Sequence, residues 1–442
     1  MDFQGQKLRV AFVILAIGMI VALMWHAWLG REGLGYPYNT FLFLPQARFT
    51  DFTVVAHSAS LGSPYQDRLA AYFPAGYYVM SFLPSPCPLL AIYAFLDLSL
   101  LGLWIALILA LRSGLISPSK GKYFWGTAAR FSIALFFSYP IFLTIDRANL
   151  ELGLVFLVSM ALLCFQAKRF STGLLFLFPA ICLKFYPIYL GSLLFRPKHY
   201  LKVALLFAAF ILASVLSMAS FQGSLVENWH LLQENFHLTK MAYVIHTYGA
   251  AGSASPWNAL RAFLGTALHS VSPHLQLTDE ATEFLYSIYA WVALAATAFI
   301  LSFVVFVETE FFRRGILVLL LMTVSVPTGG DYRLLYVNIA LMILVLLPTR
   351  RPHDLWVVAL LALSILPKRE IYFPFLGQSD SGTHDISIGV FVTAPLLLIS
   401  MVLLMKDGGR ATTFYRIKER AMGMLNAVFR LVSNRPYVPT SS

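Results

Sequence analysis

Four short polar stretches carry the side chains that could do chemistry. Ala47-Arg48-Phe49-Thr50-Asp51-Phe52 offers one carboxylate, Asp51, just ahead of the amphipathic run FTVVAHSASLG. Asp51 reads either as a helix cap accepting backbone N–H groups or as a catalytic carboxylate that takes a proton from a hydroxyl. Asp146-Arg147-Ala148-Asn149-Leu150-Glu151 packs four polar side chains between two apolar runs. These could pair with one another and end two helices, or Arg147 could grip a phosphate through paired N–H donors. Lys184-Phe185-Tyr186-Pro187 interrupts an apolar stretch, and its lysine is either a snorkelling side chain or a point charge for a phosphate. Thr328-Gly329-Gly330-Asp331-Tyr332-Arg333 places two glycines, where backbone can approach a ligand, beside an acid and a guanidinium.

The surroundings of these stretches are those of a membrane protein. Of 442 residues, 59% are hydrophobic and 12% charged. Soluble domains carry about 45–50% and about 25%. Apolar runs at 10–29, 88–111, 127–145, 149–166, 200–220, 284–307, 312–327, 332–347, 354–367 and 386–405 are candidate spans, a crossing needing about 20 residues. Residues 171–195 are apolar but broken at Lys184 and Pro187, which reads as a hairpin of two short helices with Lys184 near the tip. Residues 72–84 (YFPAGYYVMSFLP) are too short to span and rich in interfacial aromatics, so they form an interfacial helix. The expected architecture is all-α: a polytopic bundle of about 12 membrane helices with interfacial helices in the first outer loop.

The net charge of +11 follows orientation rather than nucleic-acid binding. With the N-terminus inside, 22 of the 32 Lys and Arg fall on that side, whereas treating 72–84 as a span would invert everything after it. Both termini are then cytoplasmic. The transmembrane domain covers 1–405, and 406–442 is a basic cytoplasmic tail. The first run lacks a cleavage site and is an uncleaved span. The outer segments are 30–87, 146–148, the hairpin tip, 221–283, 328–331 and 368–385, so all four polar stretches share one face of the membrane.

Several chemistries find no signature. His57, His230, His237 and His246 show no HExxH or HxxxH spacing, and no metal site is expected. No Walker loop, GxGxxG or GxSxG appears, and no internal repeat is visible. Cys87, Cys164 and Cys182 lie in apolar surroundings as small hydrophobes.

As an ordered set, Thr50-Asp51-Phe52, Gly62-Ser63-Pro64-Tyr65, Tyr72-Phe73-Pro74, Asp146-Arg147-Ala148-Asn149 and Lys184-Phe185-Tyr186-Pro187 resemble the GT-C class of membrane glycosyltransferases. More narrowly they resemble glycosyltransferase family 87, which contains bacterial polyprenyl-phosphate-mannose-dependent mannosyltransferases of glycolipid synthesis. The likeness covers roughly residues 10–350. Three departures stand out. Phe73-Pro74-Ala75 replaces Tyr-Pro-Pro, Ala148 replaces the glycine of Arg-Gly-Asn, and Gly330-Asp331-Tyr332-Arg333 stands where many members carry a histidine.

The resemblance implies an integral protein of the bacterial plasma membrane with its active site on the outer face. It would transfer a hexose, mannose in that family, from a polyprenyl-phosphate carrier to a hydroxyl of a lipid-linked or membrane glycan acceptor, with inversion and without a cofactor. Asp51 would be the general base. Arg147, Lys184 and Arg333 would hold the donor phosphate. Asp146, Asn149, Tyr186, Asp331, Tyr65 and His57 would surround the substrates, with 221–283 covering the acceptor. The rival expectations are a transporter or lipid flippase, and a non-catalytic subunit of an envelope complex. Charges clustered at one rim, without repeats, speak against a transporter.

Overall fold

The structure is a computed structural model that describes residues 3–33, 48–68, 70–81, 88–112, 124–195, 199–246, 255–272, 277–327, 329–367, 370–372, 385–411 and 422. Cys87, Thr328, most of the 368–385 segment and most of the basic tail lie outside the described residues.

Hydropathy dictates the longest elements. α1 (Phe3–Arg31) opens the chain and leads to two short helices, α2 (Thr50–Ser60) and α3 (Pro74–Ser81). The eight residues of α3 are too few to cross a bilayer. α4 (Pro88–Arg112) is again long and apolar. The expected span at 127–145 is not one helix. α5 (Phe124–Phe136) and α6 (Tyr139–Arg147) meet at a 57° bend. Pro140 forces it, since proline cannot donate to a continuing ladder, and Ser138 is extended. The carbonyl of Leu135 that the break exposes accepts from Ser138 Oγ at 2.9 Å and Asn338 Nδ2 at 3.1 Å.

α7 (Glu151–Gln166) and α8 (Phe170–Leu183) form an antiparallel pair. Lys184 ends α8, as expected of a hairpin tip. The second half differs from expectation, being a 3₁₀ helix over Tyr186–Leu194 rather than an α-helix. α9 (Tyr200–Ser220) follows. The segment 221–283 contributes α10 (Leu225–Thr239), a π turn over Lys240–Ile245, and α11 (Pro256–Val271). Ser224 and Glu227 start α10 with a reciprocal capping box. α12 (Asp279–Ser302) ends in a second π turn, Phe303–Val307. α13 (Phe311–Val324) and α14 (Leu334–Leu346) are almost wholly buried and form the centre. α15 (Asp354–Ser364) and α16 (Ile388–Ala411) close the fold, with a three-residue antiparallel ladder, β1 (Glu370–Tyr372) and β2 (Asp385–Ser387), between them.

Among the described residues, α1, α4, α9, α12 with its π turn, and α16 are long and apolar enough to cross a membrane, and the α5–α6 pair makes a sixth if counted as one span. The twelve expected spans thus resolve into these long helices and a set of shorter ones. Large apolar side chains on α1, α4, α9 and α12 face outward, among them Met24, Leu98, Leu201 and Trp291. A water-soluble protein does not display such continuous apolar surface; the chain is an integral membrane protein.

At the end of the bundle where α1 begins, the basic residues that set the expected orientation are buried in pairs. Arg313 grips Asp354 through two bonds of 2.7 and 2.9 Å, and Arg351 grips Glu308 through bonds of 2.6 and 2.8 Å. Lys7 donates to the carbonyls of Leu344 and Leu347, closing the C-terminal end of α14. His353 meets Asp407 at 2.7 Å, joining α15 to α16. Removing one member of a buried pair strands the other, at a cost of about 3–5 kcal/mol. Asp354→Ala should therefore lower the thermal unfolding midpoint in detergent sharply, and adding Arg313→Met in the same chain should recover most of the loss.

Candidate functional site: a carboxylate and two buried cations at one rim

The opposite rim is built from two sharp turns. Ala148 ends α6 in the left-handed region (φ 47°), where its N–H reaches Ile145 O and that of Asn149 reaches Thr144 O. This position, where the resembled family carries glycine, costs a Cβ-bearing residue roughly 1–2 kcal/mol. Phe49, also left-handed (φ 62°), precedes α2, and its N–H donates to Asp146 O at 2.8 Å. Strained non-glycine residues of this kind concentrate at functional sites.

The docked turns bring Asp51 to Asn149. Asn149 Nδ2 donates to Asp51 Oδ2 at 2.6 Å, while its Oδ1 accepts the N–H of Glu151 at 2.9 Å and so caps α7. Beside it, Arg147 Nη1 donates to Thr50 Oγ1 at 2.8 Å. Asp51 is therefore not the cap of α2. The cap position is Phe49, which makes no side-chain capping bond, and Asp51 sits in the first turn beyond it.

Glu151 is the residue sequence analysis passed over. Its carboxylate is fully buried and accepts from Lys184 Nζ at 2.8 Å, from Tyr336 OH at 2.7 Å and from Tyr186 OH. Arg333 Nε lies 3.7 Å from it, too long for a hydrogen bond but close enough for an ion pair. The Arg333 guanidinium stacks 4.5 Å above the Tyr186 ring, and its buried Nε and Nη1 have no hydrogen-bond partner. Lys184 Nζ also faces the rings of Tyr72 and Tyr332, at 5.3 and 5.6 Å. Two cations against one carboxylate leave a single net positive charge. Burial pushes the Tyr72 hydroxyl above its ordinary pKa, and the nearby carboxylates of Asp51 and Glu151 push it the same way. Tyr72 thus stays a protonated donor between the two acids.

Asp51 and Asn149 meet, Arg147 meets Thr50 beside them, and Lys184, Tyr186 and Arg333 gather on Glu151. The other expected residues are placed elsewhere. Asp331 is buried, with its carboxylate receiving Tyr139 OH at 3.3 Å. Asp146 contributes its backbone carbonyl to the turn contact, and its buried Oδ1 has no hydrogen-bond partner. Tyr65 is a support rather than a substrate contact: it is buried, its hydroxyl donates to Tyr72 O at 3.1 Å, and its ring meets Tyr77 edge-on. His57 is exposed and lies away from the Asp51 face of α2. Among the described residues, no group of three or more His, Cys, Asp or Glu is arranged to hold a metal ion.

Two signals for Glu151 and Tyr336 were in the sequence. Glu151 opens a sixteen-residue apolar helix, where a carboxylate must find cations. Tyr332, Arg333 and Tyr336 recur at helical spacing and share one face. Glu151→Ala should destabilise the fold by about 3–5 kcal/mol, because it leaves Lys184 and Arg333 facing each other without a counter-charge. Adding Lys184→Met should recover part of that loss, as measured by thermal unfolding in detergent.

Comparison with known protein families, with curated proteins and with solved structures finds no match for this chain.

Proposed function

We propose that the chain is a membrane glycosyltransferase that moves a hexose from a polyprenyl-phosphate carrier to a hydroxyl of a membrane-bound acceptor, with inversion at the anomeric carbon. The observation that carries this reading is the gathering of two cations, Lys184 and Arg333, on Glu151, two residues beyond the Asn149 that holds Asp51, with Nε and Nη1 of Arg333 left without a hydrogen-bond partner. An apolar bundle gains nothing by burying unfilled guanidinium donors; an anionic ligand would satisfy them.

The chemistry follows from these groups. The acceptor oxygen attacks the anomeric carbon while the bond from that carbon to the phosphate oxygen breaks. The hydroxyl proton passes to Asp51, and the bonding electrons leave with the phosphate. Asn149 holds Oδ2 of Asp51 and sets the orientation in which Oδ1 can take the proton. Arg333 and Lys184 stabilise the charge that grows on the leaving phosphate. Glu151 cancels one of those two charges, so the remaining charge suits a glycosyl phosphodiester, which carries one negative charge. The positive φ at Ala148 supports the likeness to family 87, because it explains why a glycine serves at that position there.

Radiolabelled sugar transfer from a polyprenyl-phosphate donor in proteoliposomes tests the proposal. Asp51→Asn keeps the bond to Asn149 sterically possible and removes the base, so turnover should fall by roughly 10²–10⁴-fold with the unfolding midpoint unchanged. Retained turnover would remove Asp51 from the mechanism, and lipid or solute flux without transfer by the unmodified protein would favour a transporter.

A further inference from the structure

An apolar cavity of about 340 Å³ is lined by none of the residues of the Asp51 rim. Its walls are Ile188, Gly191 and Phe195 of the 3₁₀ helix, Val203 and Phe207 of α9, and Val305 of the second π turn. The nine-residue 3₁₀ helix runs from Tyr186 in the Glu151 cluster down to this groove, a path of about 18 Å at 2 Å per residue. Of the few polar wall groups, Ser192 Oγ already spends its proton on Tyr189 O at 2.7 Å. A Cβ built at Gly191 meets no atom within 4 Å, so the groove is open there. Arg314 braces it from behind: Nε donates to Val304 O at 2.7 Å and Nη2 to Ser192 O at 3.1 Å, fixing the two walls relative to each other.

The flanking helices identify the occupant. α9 and α12 are the long apolar helices that bury least of themselves in the protein, together with α1, and both turn large apolar side chains outward. The groove between them therefore opens onto hydrocarbon. Apolar cavities of about 150 Å³ stay dry yet admit benzene, and this one is larger. Lys202, one residue before Val203, stands at the same end, with Nζ 3.4 Å from Ser171 Oγ. We propose that the groove holds one acyl chain of a bilayer phospholipid whose phosphate rests beside Lys202. The lipid fills the gap between the 3₁₀ helix and the π turn and thereby steadies the segment that carries Lys184 and Tyr186. This proposal stands independently of the sugar-transfer reading.

Phosphatidylglycerol with a diazirine on one acyl chain, incorporated into proteoliposomes with the full chain, provides the test. Photolabel should concentrate on peptides covering 186–207 and 301–306. Gly191→Trp and Val305→Trp, which fill the groove from opposite walls, should each cut that label roughly tenfold, and Lys202→Ala should weaken it, with unfolding midpoints confirming that each variant is folded. Label undiminished by both tryptophans, label spread evenly over α1, α4 and α12, or displacement of phosphatidylglycerol by polyprenyl phosphate would overturn the assignment. Asp51→Asn should leave the label unchanged, which separates failure here from failure of the transfer reaction.

Discussion

A carboxylate shut away from water at the head of an apolar helix can persist only if cations come to it. In this chain Glu151 sets that condition for the whole rim. Its oxygens gather Lys184 from the end of α8, Tyr186 from the 3₁₀ helix, and Tyr336 and Arg333 from the two ends of one turn leading into α14. Two segments far apart in sequence are thus fixed to a third. Inside a bundle of low dielectric, each of these contacts is stronger than it would be in water, and each vacancy is more costly. That asymmetry explains why the cluster is complete around Glu151 and why the unfilled N–H groups of Arg333 stand out against it.

The rim and the opposite end solve the same problem in different ways. At the far end Arg313 with Asp354, and Arg351 with Glu308, are bidentate pairs in which the guanidinium fork matches one carboxylate. Charges there are balanced locally, and the geometry ties α13 and the end of the second π turn to the start of α15. At the Asp51 rim the balance is left open by one positive charge, the arginine stacks on a ring instead of pairing bidentately, and two turns hold non-glycine residues at positive φ. Positive φ recurs at Lys168 beyond the other end of α7, so it is the incomplete pairing at the rim, against saturation at the far end, that marks the candidate site.

Much of this was legible in the sequence. Apolar runs of span length appear as α1, α4, α9, α12 and α16, and the break at Lys184 falls where Pro187 demanded one. The sequence placed Asp51 and Asn149 on one face, but the bond between them depends on how the two turns dock. What escaped depended on tertiary partners. The run at 127–145 reads as one span although it contains Pro140, and only Asn338 shows how the freed carbonyl of Leu135 is satisfied. The stretch after Tyr186 has the hydropathy of an α-helix and winds as 3₁₀, a tighter turn that its packing against α13 and α8 imposes. Glu151 was read as part of a polar turn because its cations lie 33 and 182 residues further on, and Tyr336 looked like any aromatic in a span.

The order of contacts along the rim also constrains how it could respond to a ligand. Asp51 is bound to Asn149, and the other end of the same amide holds the first N–H of the helix that Glu151 opens. A force on Asp51 is therefore felt at Glu151 through one rigid side chain. Lys184 lies between that carboxylate and the faces of Tyr72 and Tyr332, so an anion drawing it from Glu151 would move it along aromatic faces that favour a cation throughout. Arg333 needs no such displacement, because its open donors already stand inside the cluster. In the proposed reaction the arginine would therefore make the first contact with the donor phosphate, and the lysine would follow only by loosening its bond to Glu151.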